Sequence, residues 1–538
     1  NSRCLVQWLA FLWADGRPLA LPAAAVRFGR SFETMANSSG DATGDAYYNG
    51  AQNMGPGSAI RSDRQLLREQ LTPDARGLIV AMVGLPARGK SFISRKLERF
   101  LKWSGSTTKT FNVGKYRRDA VMPERSGRSE FFDNQNPDSV AAREKMAMTA
   151  LADAIKFLDE GGKFAIFDAT NSTVARRQSI AGQVRAHGHY SLIWVEAVCD
   201  DEEVVRFNML TKVKYSPDFK EMSADQAMSD LTARIQKYSE IYETIQDSEG
   251  AFIKLFNLSS KVMANHCYGR VAKSILPYLM AIHIGSRPIW LARAGPGSTK
   301  GQNGSDRDST LSDEGQRYAK HLAAFVQQRS RRYWDSSGNP KEQTKVFTST
   351  MPRAVESAFP TSALPDKRSA LNPIDKGVVG AGWWDVECPD DVPPWSEVEK
   401  RHPDFMDQWH KNPLVCQFPG GESYLDVIMR LESVLIDVEM CTSPVLIVSH
   451  ITVLQLLLAY FKGVPVEEAW KMSLPKFGVV EVNPTSGGSF LCEEHLLSSP
   501  TGDVTSSLEK RCRDDASESA SIMAVDVAAE VKRPKVSA

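Results

Sequence analysis

The chain has 538 residues, enough for two ordinary domains plus flexible segments. Lysine plus arginine and aspartate plus glutamate number 65 each, so nothing draws the whole chain toward nucleic acid or an anionic membrane. The eight cysteines are scattered without a C-x-x-C pair, which argues against a zinc site or a disulfide framework and for a reducing, cytoplasmic setting.

Residues 1–73 read as a flexible or extraneous N-terminal segment. The apolar stretch at 4–13 is too short to span a bilayer. Asp15 and Glu33 weaken a transit-peptide reading, and Met35 offers an alternative start. Residues 35–73 are rich in Gly, Ser, Asn and Ala, a composition that builds no core.

From residue 74 the pattern changes. Leu78-Ile-Val-Ala-Met-Val83 reads as a buried strand and Phe92 to Trp103 as a helix carrying Ile93, Leu97, Phe100 and Leu101. Between them stands Gly84-Leu85-Pro86-Ala87-Arg88-Gly89-Lys90-Ser91, a match to G-x-x-x-x-G-K-[ST] in the strand–loop–helix setting that a phosphate-binding loop requires. Glycines let backbone N–H groups approach phosphate oxygens, and the helix N-terminus favours negative charge. Lys90 is expected to reach the β- and γ-phosphates of ATP, with the Ser91 hydroxyl on Mg²⁺.

Such a site needs a carboxylate at the end of a neighbouring strand. Phe164 to Phe167 form a second apolar run ending at Asp168, which is placed to hold Mg²⁺ through water; taken alone, Asp168 also suits a turn or a helix cap. Basic residues cluster on the expected strand-end loops and helices: Arg117 and Arg118 in Phe111-Asn-Val-Gly-Lys-Tyr-Arg-Arg118, then Arg143, Arg176, Arg177 and Arg234. The planar guanidinium suits bidentate phosphate recognition, so the acceptor is expected to carry a phosphate already. Spacing alone leaves Arg143 equally readable as a solvated charge on the polar side of its helix.

GLPARGKS, FNVGKYRR, FDATN, VEAVCDD and SPDF followed by DLTARIQKY occur in that order. The chain from about residue 75 to 483 thereby resembles the 6-phosphofructo-2-kinase/fructose-2,6-bisphosphatase family. The resemblance implies an α/β fold, with a P-loop kinase domain at 74–285 followed by a histidine-phosphatase-like (phosphoglycerate-mutase-like) α/β domain at 286–485. It implies transfer of the ATP γ-phosphate to the 2-hydroxyl of fructose 6-phosphate. Lys90, Ser91 and Asp168 then serve ATP and Mg²⁺, while Asn208 and Cys199 fall where the family contacts nucleotide. Arg117, Arg118, Arg143, Thr170, Arg176, Arg234 and Tyr238 fall on the sugar-phosphate pocket. Lys212 and Lys214 straddle the column of an active-site lysine, and the sequence does not choose between them. The same resemblance makes a homodimer the expected assembly. No general base stands out, which phosphoryl transfer tolerates because it depends on positioning and charge neutralisation.

The second half shows strands at Pro288–Ala292, Lys345–Ser349 and Pro444–Ser449, and an amphipathic helix from Tyr424 to Val438. It resembles the histidine phosphatases, whose strand-end Arg-His-Gly carries the phosphorylated histidine. Here the run is Arg293-Ala294-Gly295, and an alanine forms no covalent intermediate. By the same resemblance the family's acidic position is Pro296, its asparagine Lys300, its proton-donor glutamate Pro373, its substrate arginine Gln417 and a later arginine Gln455. Arg293, Arg353 and His450 remain as a residual phosphate pocket, in which His450 reads equally as a packing residue. An effectively monofunctional kinase is therefore expected, set against a bifunctional enzyme, a non-catalytic sugar-phosphate or nucleotide sensor, and a P-loop kinase for another phosphorylated acceptor. Residues 486–538 read as a disordered polar tail closing on the basic run Lys532-Arg-Pro-Lys535.

Overall fold

The computed structural model describes residues 77–497, apart from 121–128, 258–259, 299–308, 338–342, 380–394 and the single positions 284, 286, 378 and 486. The segment 1–73, the basic run near the C-terminus and Lys300 therefore lie outside the described residues. Two six-stranded sheets organise what is described, and the described residues fall in one compact unit.

The first sheet has the order β2-β3-β1-β4-β5-β6. β1 (Gly77–Val83), β2 (Thr108–Asn112), β3 (Phe164–Asp168), β4 (Tyr190–Val198) and β5 (Phe252–Phe256) run parallel, and β6 (Lys261–Asn265) closes the edge antiparallel. Every residue of β1 and β3 is buried, as a parallel sheet covered on both faces demands. Crossover helices supply the cover: α1 (Lys90–Trp103), α2 (Val113–Ala120), α3 (Pro137–Asp159), α4 (Val174–Ala186), α5 (Glu202–Tyr215), α6 (Ala224–Ser239) and α7 (Gly269–Ala281). The expected strand, loop and helix around residue 84 are all present, and α1 starts two residues before the apolar pattern does, because Lys90 and Ser91 belong to its first turn.

The second sheet has the order β12-β11-β7-β10-β8-β9. β7 (Ile289–Arg293), β8 (Lys345–Thr348), β9 (Asp366–Lys367) and β10 (Val445–Ser449) are parallel, and β11 (Gly478–Pro484) is antiparallel to β7. Helices α8 (Asp313–Ser337), α9 (Pro352–Ala358), α10 (Trp395–Arg401), α11 (Pro403–Lys411), α12 (Tyr424–Met440) and α13 (Ile451–Lys462) pack around it. Both halves are thus α/β. The expected boundary at 485 needs correction. β12 (Phe490–Leu496) pairs with the whole of β11, and Leu497 is buried behind it. The small polar residues that looked like the start of a tail make the tight connection of this hairpin, where the Thr485 amide donates to the Ser489 carbonyl at 2.9 Å.

One apolar core runs through both halves, joining Leu97, Phe100 and Trp103 of α1 to Leu435 of α12 and to Leu456 and Tyr460 of α13. Polar contacts are set into it. Lys96 and Glu439, each under 5% exposed, pair at 2.8 Å, and the Tyr460 hydroxyl donates to the other Glu439 oxygen at 2.6 Å. Trp103 Nε1 donates to the Leu456 carbonyl at 2.7 Å. Removing one member of a buried pair strands the other charge, so Glu439→Leu is expected to destabilise the fold by about 3–5 kcal/mol. Urea unfolding checks this; a change below about 1 kcal/mol would refute it. Among the described residues no helix is long and apolar enough to cross a membrane.

Candidate active site

The carboxyl ends of the parallel strands in the first sheet open onto one cavity of about 850 Å³, within the range of small-molecule sites. β1 leads into the loop 84–89. Gly84 sits at φ 138°, and a Cβ there would lie 2.6 Å from the Ala197 carbonyl oxygen, so the residue is fixed as glycine by the close passage of β4. Gly89, at φ 82°, makes the left-handed turn that starts α1. Pro86, Ala87, Gly89, Lys90 and Ser91 line the cavity. Gly84 and Leu85 support it from behind: the Gly84 amide donates to the Thr170 carbonyl at 3.0 Å, and Lys90 Nζ donates to the Leu85 carbonyl at 2.6 Å.

Asp168 ends β3 opposite Asn112, its registered partner on β2. Its Oδ2 accepts from Ser91 Oγ at 2.7 Å and from Asn112 Nδ2 at 2.5 Å. A serine hydroxyl and a carboxylate meeting beside the phosphate loop are the hard oxygen donors that Mg²⁺ takes, so Ser91 and Asp168 fit that ion. Asn112 was missed as a site residue although it stands in the FNVGKYRR run; its amide orients the carboxylate.

The opposite wall is built by helices. α2 brings Arg117 and Arg118, α3 brings Arg143, α4 brings Arg176, and α6 brings Arg234 and Tyr238; all line the cavity with Thr170 and Asn208. Arg143 is no solvated surface charge: it donates to the Phe131 carbonyl at 3.2 Å and to Asn134 Oδ1 at 2.9 Å. Arg176 pairs with Glu144 at 2.9 Å. The Arg117 and Arg234 guanidiniums stand over the Phe132 ring at 5.1 and 4.7 Å, a desolvated cationic wall.

The choice between the two lysines is made by the turn of α5. Lys212 lines the cavity, whereas Lys214 is exposed with Nζ 5.5 Å over the Tyr215 ring. Lys212 joins the two walls electrostatically: it feels Asp218 and Arg234 on one side and Asp168 on the other. Burial, above all, pushes its ammonium down. Cys199 and Arg88 do not line this cavity. Cys199 is buried beside Arg88, and Arg88 faces a smaller cleft with Val205, Met209 and Met228 on the far side of the loop.

Lys90 sits under marked electrostatic stress. Burial pushes its ammonium down to about 7, the neighbouring Lys212 adds to this, and Asp168 opposes it. At pH 8 the empty site then holds a largely neutral Lys90, and an arriving polyphosphate favours the charged form. Binding of a non-hydrolysable ATP analogue at pH 8 is therefore expected to take up as much as about one proton, and affinity should weaken above pH 7 by at most about tenfold per unit. Calorimetry in buffers of different ionisation enthalpy measures this; equal heats in all buffers at pH 8 would remove Lys90 as the coupled group.

Residues 68–286 match the family 6-phosphofructo-2-kinase, and residues 289–495 match the histidine phosphatase superfamily (branch 1). Over 416 residues the chain is 35% identical to 6-phosphofructo-2-kinase/fructose-2,6-bisphosphatase 4 of Rattus norvegicus, covering 76% of this chain and 83% of that one. The chain belongs to the 6-phosphofructo-2-kinase/fructose-2,6-bisphosphatase family. Another member, 6-phosphofructo-2-kinase/fructose-2,6-bisphosphatase of Arabidopsis thaliana, is 36% identical over 413 residues; the chain spans 52% of its length.

In the histidine-phosphatase-like half the strand ends are arranged differently. β7 ends at Arg293, with Ala294 next in line and its amide donating to the Ser449 carbonyl at 2.8 Å. His450 is 3% exposed, and its Nε2 lies 2.9 Å from Ser349 Oγ. Arg353 Nη2 faces His450 Nδ1 at 3.4 Å. A guanidinium only donates, so Nδ1 accepts and the ring proton sits on Nε2, directed at Ser349. The imidazole of His450 is thus engaged by protein groups on both sides. Gln417 and Gln455 likewise turn to local backbone, the first to the Gly421 carbonyl at 2.9 Å and the second to those of Trp470 and Met472 at 3.1 and 2.8 Å.

Proposed function

We propose that the chain transfers the γ-phosphoryl group of ATP to the 2-hydroxyl of fructose 6-phosphate, making fructose 2,6-bisphosphate, and that it does not hydrolyse that product at a useful rate. The observation that carries the first part is the single cavity with two unlike walls bridged by Lys212. The phosphate loop, Lys90, Ser91 and Asp168 form the triphosphate wall. Arg117, Arg118, Arg143, Arg176 and Arg234 form a wall for an acceptor that is itself a phosphate ester.

Ser91 and Asp168 would hold Mg²⁺, which when bound would supply charge neutralisation on the polyphosphate. The protein groups do the rest by position. Loop amides and the α1 N-terminus cradle the phosphates, Lys90 and Lys212 offer cations where negative charge builds, and the arginine wall orients the sugar phosphate. Transfer through a loose, charge-spread transition state requires little more than this. The Nδ2 of Asn208, buried in the cavity lining with no hydrogen-bond partner among the described residues, supports a contact of this side chain with the nucleotide.

Support for the second part is chemical. Ala294 follows Arg293 where a phosphorylatable imidazole would be needed, and His450 is held by Ser349 and Arg353. A coupled assay of the purified full chain, following fructose 2,6-bisphosphate made from ATP and fructose 6-phosphate and then destroyed, tests both parts. Turnover with another phosphorylated acceptor but not with fructose 6-phosphate sinks the first. Release of inorganic phosphate from added fructose 2,6-bisphosphate at a rate comparable with its synthesis sinks the second. A cytoplasmic enzyme acting as a homodimer is the accompanying expectation, and fractionation and sedimentation would test each.

A further inference from the structure

One carboxylate stands at the centre of the arginine wall. Asp218 lies in the tight turn Pro217–Phe219, its amide accepted by Ser216 Oγ at 3.4 Å. Its Oδ2 accepts from Arg117 Nη2 and from Arg234 Nη1, the latter at 3.1 Å, while Oδ1 accepts from Arg118 Nη1 at 3.3 Å. The side chains of Asp218, Arg117 and Arg234 are 6%, 8% and 5% exposed. Burial alone would raise the Asp218 carboxyl, but Arg117 and Arg234 hold it below the usual carboxylate range. Arg234 has a second prop, because its Nε donates to Asp230 Oδ2 at 2.6 Å.

The charges do not balance. Among the described residues the three guanidiniums pair with Asp218 and Asp230, while the neighbouring Lys212 feels Asp218 on one side and Asp168 on the other. After these pairings Arg117 Nε and Arg234 Nη2 remain buried with no hydrogen-bond partner among the described residues, both on residues that line the cavity. A buried cationic N–H left unmade is costly unless something anionic completes it. The forks cannot swing to find partners of their own, since Asp218 grips one arm of each and Phe132 lies beneath both.

We infer that Asp218 is a positioning residue for the acceptor. It anchors Arg117 and Arg234 by one edge so that the remaining N–H groups are preset for the dianionic phosphate of the sugar ester. This deepens the proposed function and rests on it. Asp218 does not touch the transferring phosphoryl group; it acts through the arginines, so its loss should appear in acceptor affinity and leave the nucleotide wall alone.

The test is calorimetric binding of fructose 6-phosphate and, separately, of a non-hydrolysable ATP analogue with Mg²⁺ to the full chain, paired with steady-state kinetics. Asp218→Asn keeps the shape and removes the charge. It is expected to weaken fructose 6-phosphate binding and raise its KM by about tenfold or more, the scale of one charge-assisted hydrogen bond. Analogue affinity should stay within about twofold, kcat at saturating acceptor should change less than KM, and Asp218→Glu should recover part of the loss. Unchanged acceptor affinity in Asp218→Asn overturns the inference. So does tighter binding, which would make the carboxylate a competitor of the ligand. If Asp218→Asn loses analogue binding as well and so proves misfolded, Asp230→Asn is read the same way: a rise in acceptor KM of about threefold or more supports anchoring, and no rise overturns it. Failure of the unaltered chain to bind fructose 6-phosphate at all would instead strike the proposed function.

Discussion

Replacing Lys90 with alanine is expected to lower phosphoryl transfer by about a thousandfold while leaving the fold intact. Losing one preorganised donor aimed at developing charge costs about 10²–10³ in kcat in well-studied cases. Lys90 stands at the upper end because it lies fully inside the cavity, where each charge acts in a low dielectric. The fold should survive for the same reason the ammonium is pushed down to about 7: burial without a close counter-ion makes the charged side chain a burden to the empty protein. Thermal unfolding of Lys90→Ala should be unchanged or slightly raised. Activity within tenfold of the unaltered chain would remove Lys90 from the transfer step.

The second large expectation concerns hydrolysis. Fructose 2,6-bisphosphate incubated with the full chain should release phosphate more slowly, by about 10⁶-fold, than an enzyme with an intact covalent nucleophile, a scale measured when a serine protease loses its own. Ala294→His alone should not restore it. The new ring would stand beside Arg293, but His450 is engaged by Ser349 and Arg353, Pro373 offers no proton, and the Gln417 amide is spent on the Gly421 carbonyl. A phosphohistidine trapped on Ala294→His by acid quench, with measurable turnover, would show that these other losses do not matter.

Much of this was legible in the chain itself, for identifiable reasons. The phosphate loop was plain because its spacing is fixed by backbone geometry, and β1, β3 and β10 were plain because strands buried on both faces read as unbroken apolar runs. Asn112 and Asp218 stood inside runs of sequence that drew notice, yet a polar residue carries no mark of which side chain it will hold: Asn112 meets Asp168 through the β2–β3 register, and Asp218 meets Arg117 and Arg118 where α2 closes onto the turn at 217–219. Lys212 and Lys214 are two residues apart on one helix, so they face different directions, and no local pattern said which direction was inward. The hairpin joining β11 and β12 was mistaken for a tail because an edge strand alternates in exposure and its turn is made of small polar residues, the same letters that spell a linker.

The seam between the halves bears on how such a molecule can change over time. α1 carries the phosphate loop at one end, yet it leans on α12 and α13 through Lys96, Trp103 and the aromatic residues beside them, and Arg95 and Arg99 donate to the carbonyls of Gly487 and Gly488 in the last hairpin. A chain cut short near residue 285 would bare that whole flank to water and loosen the helix that holds the nucleotide. The second half thus serves the first as a brace, a duty that its inner surface performs whatever its own mouth does to a substrate.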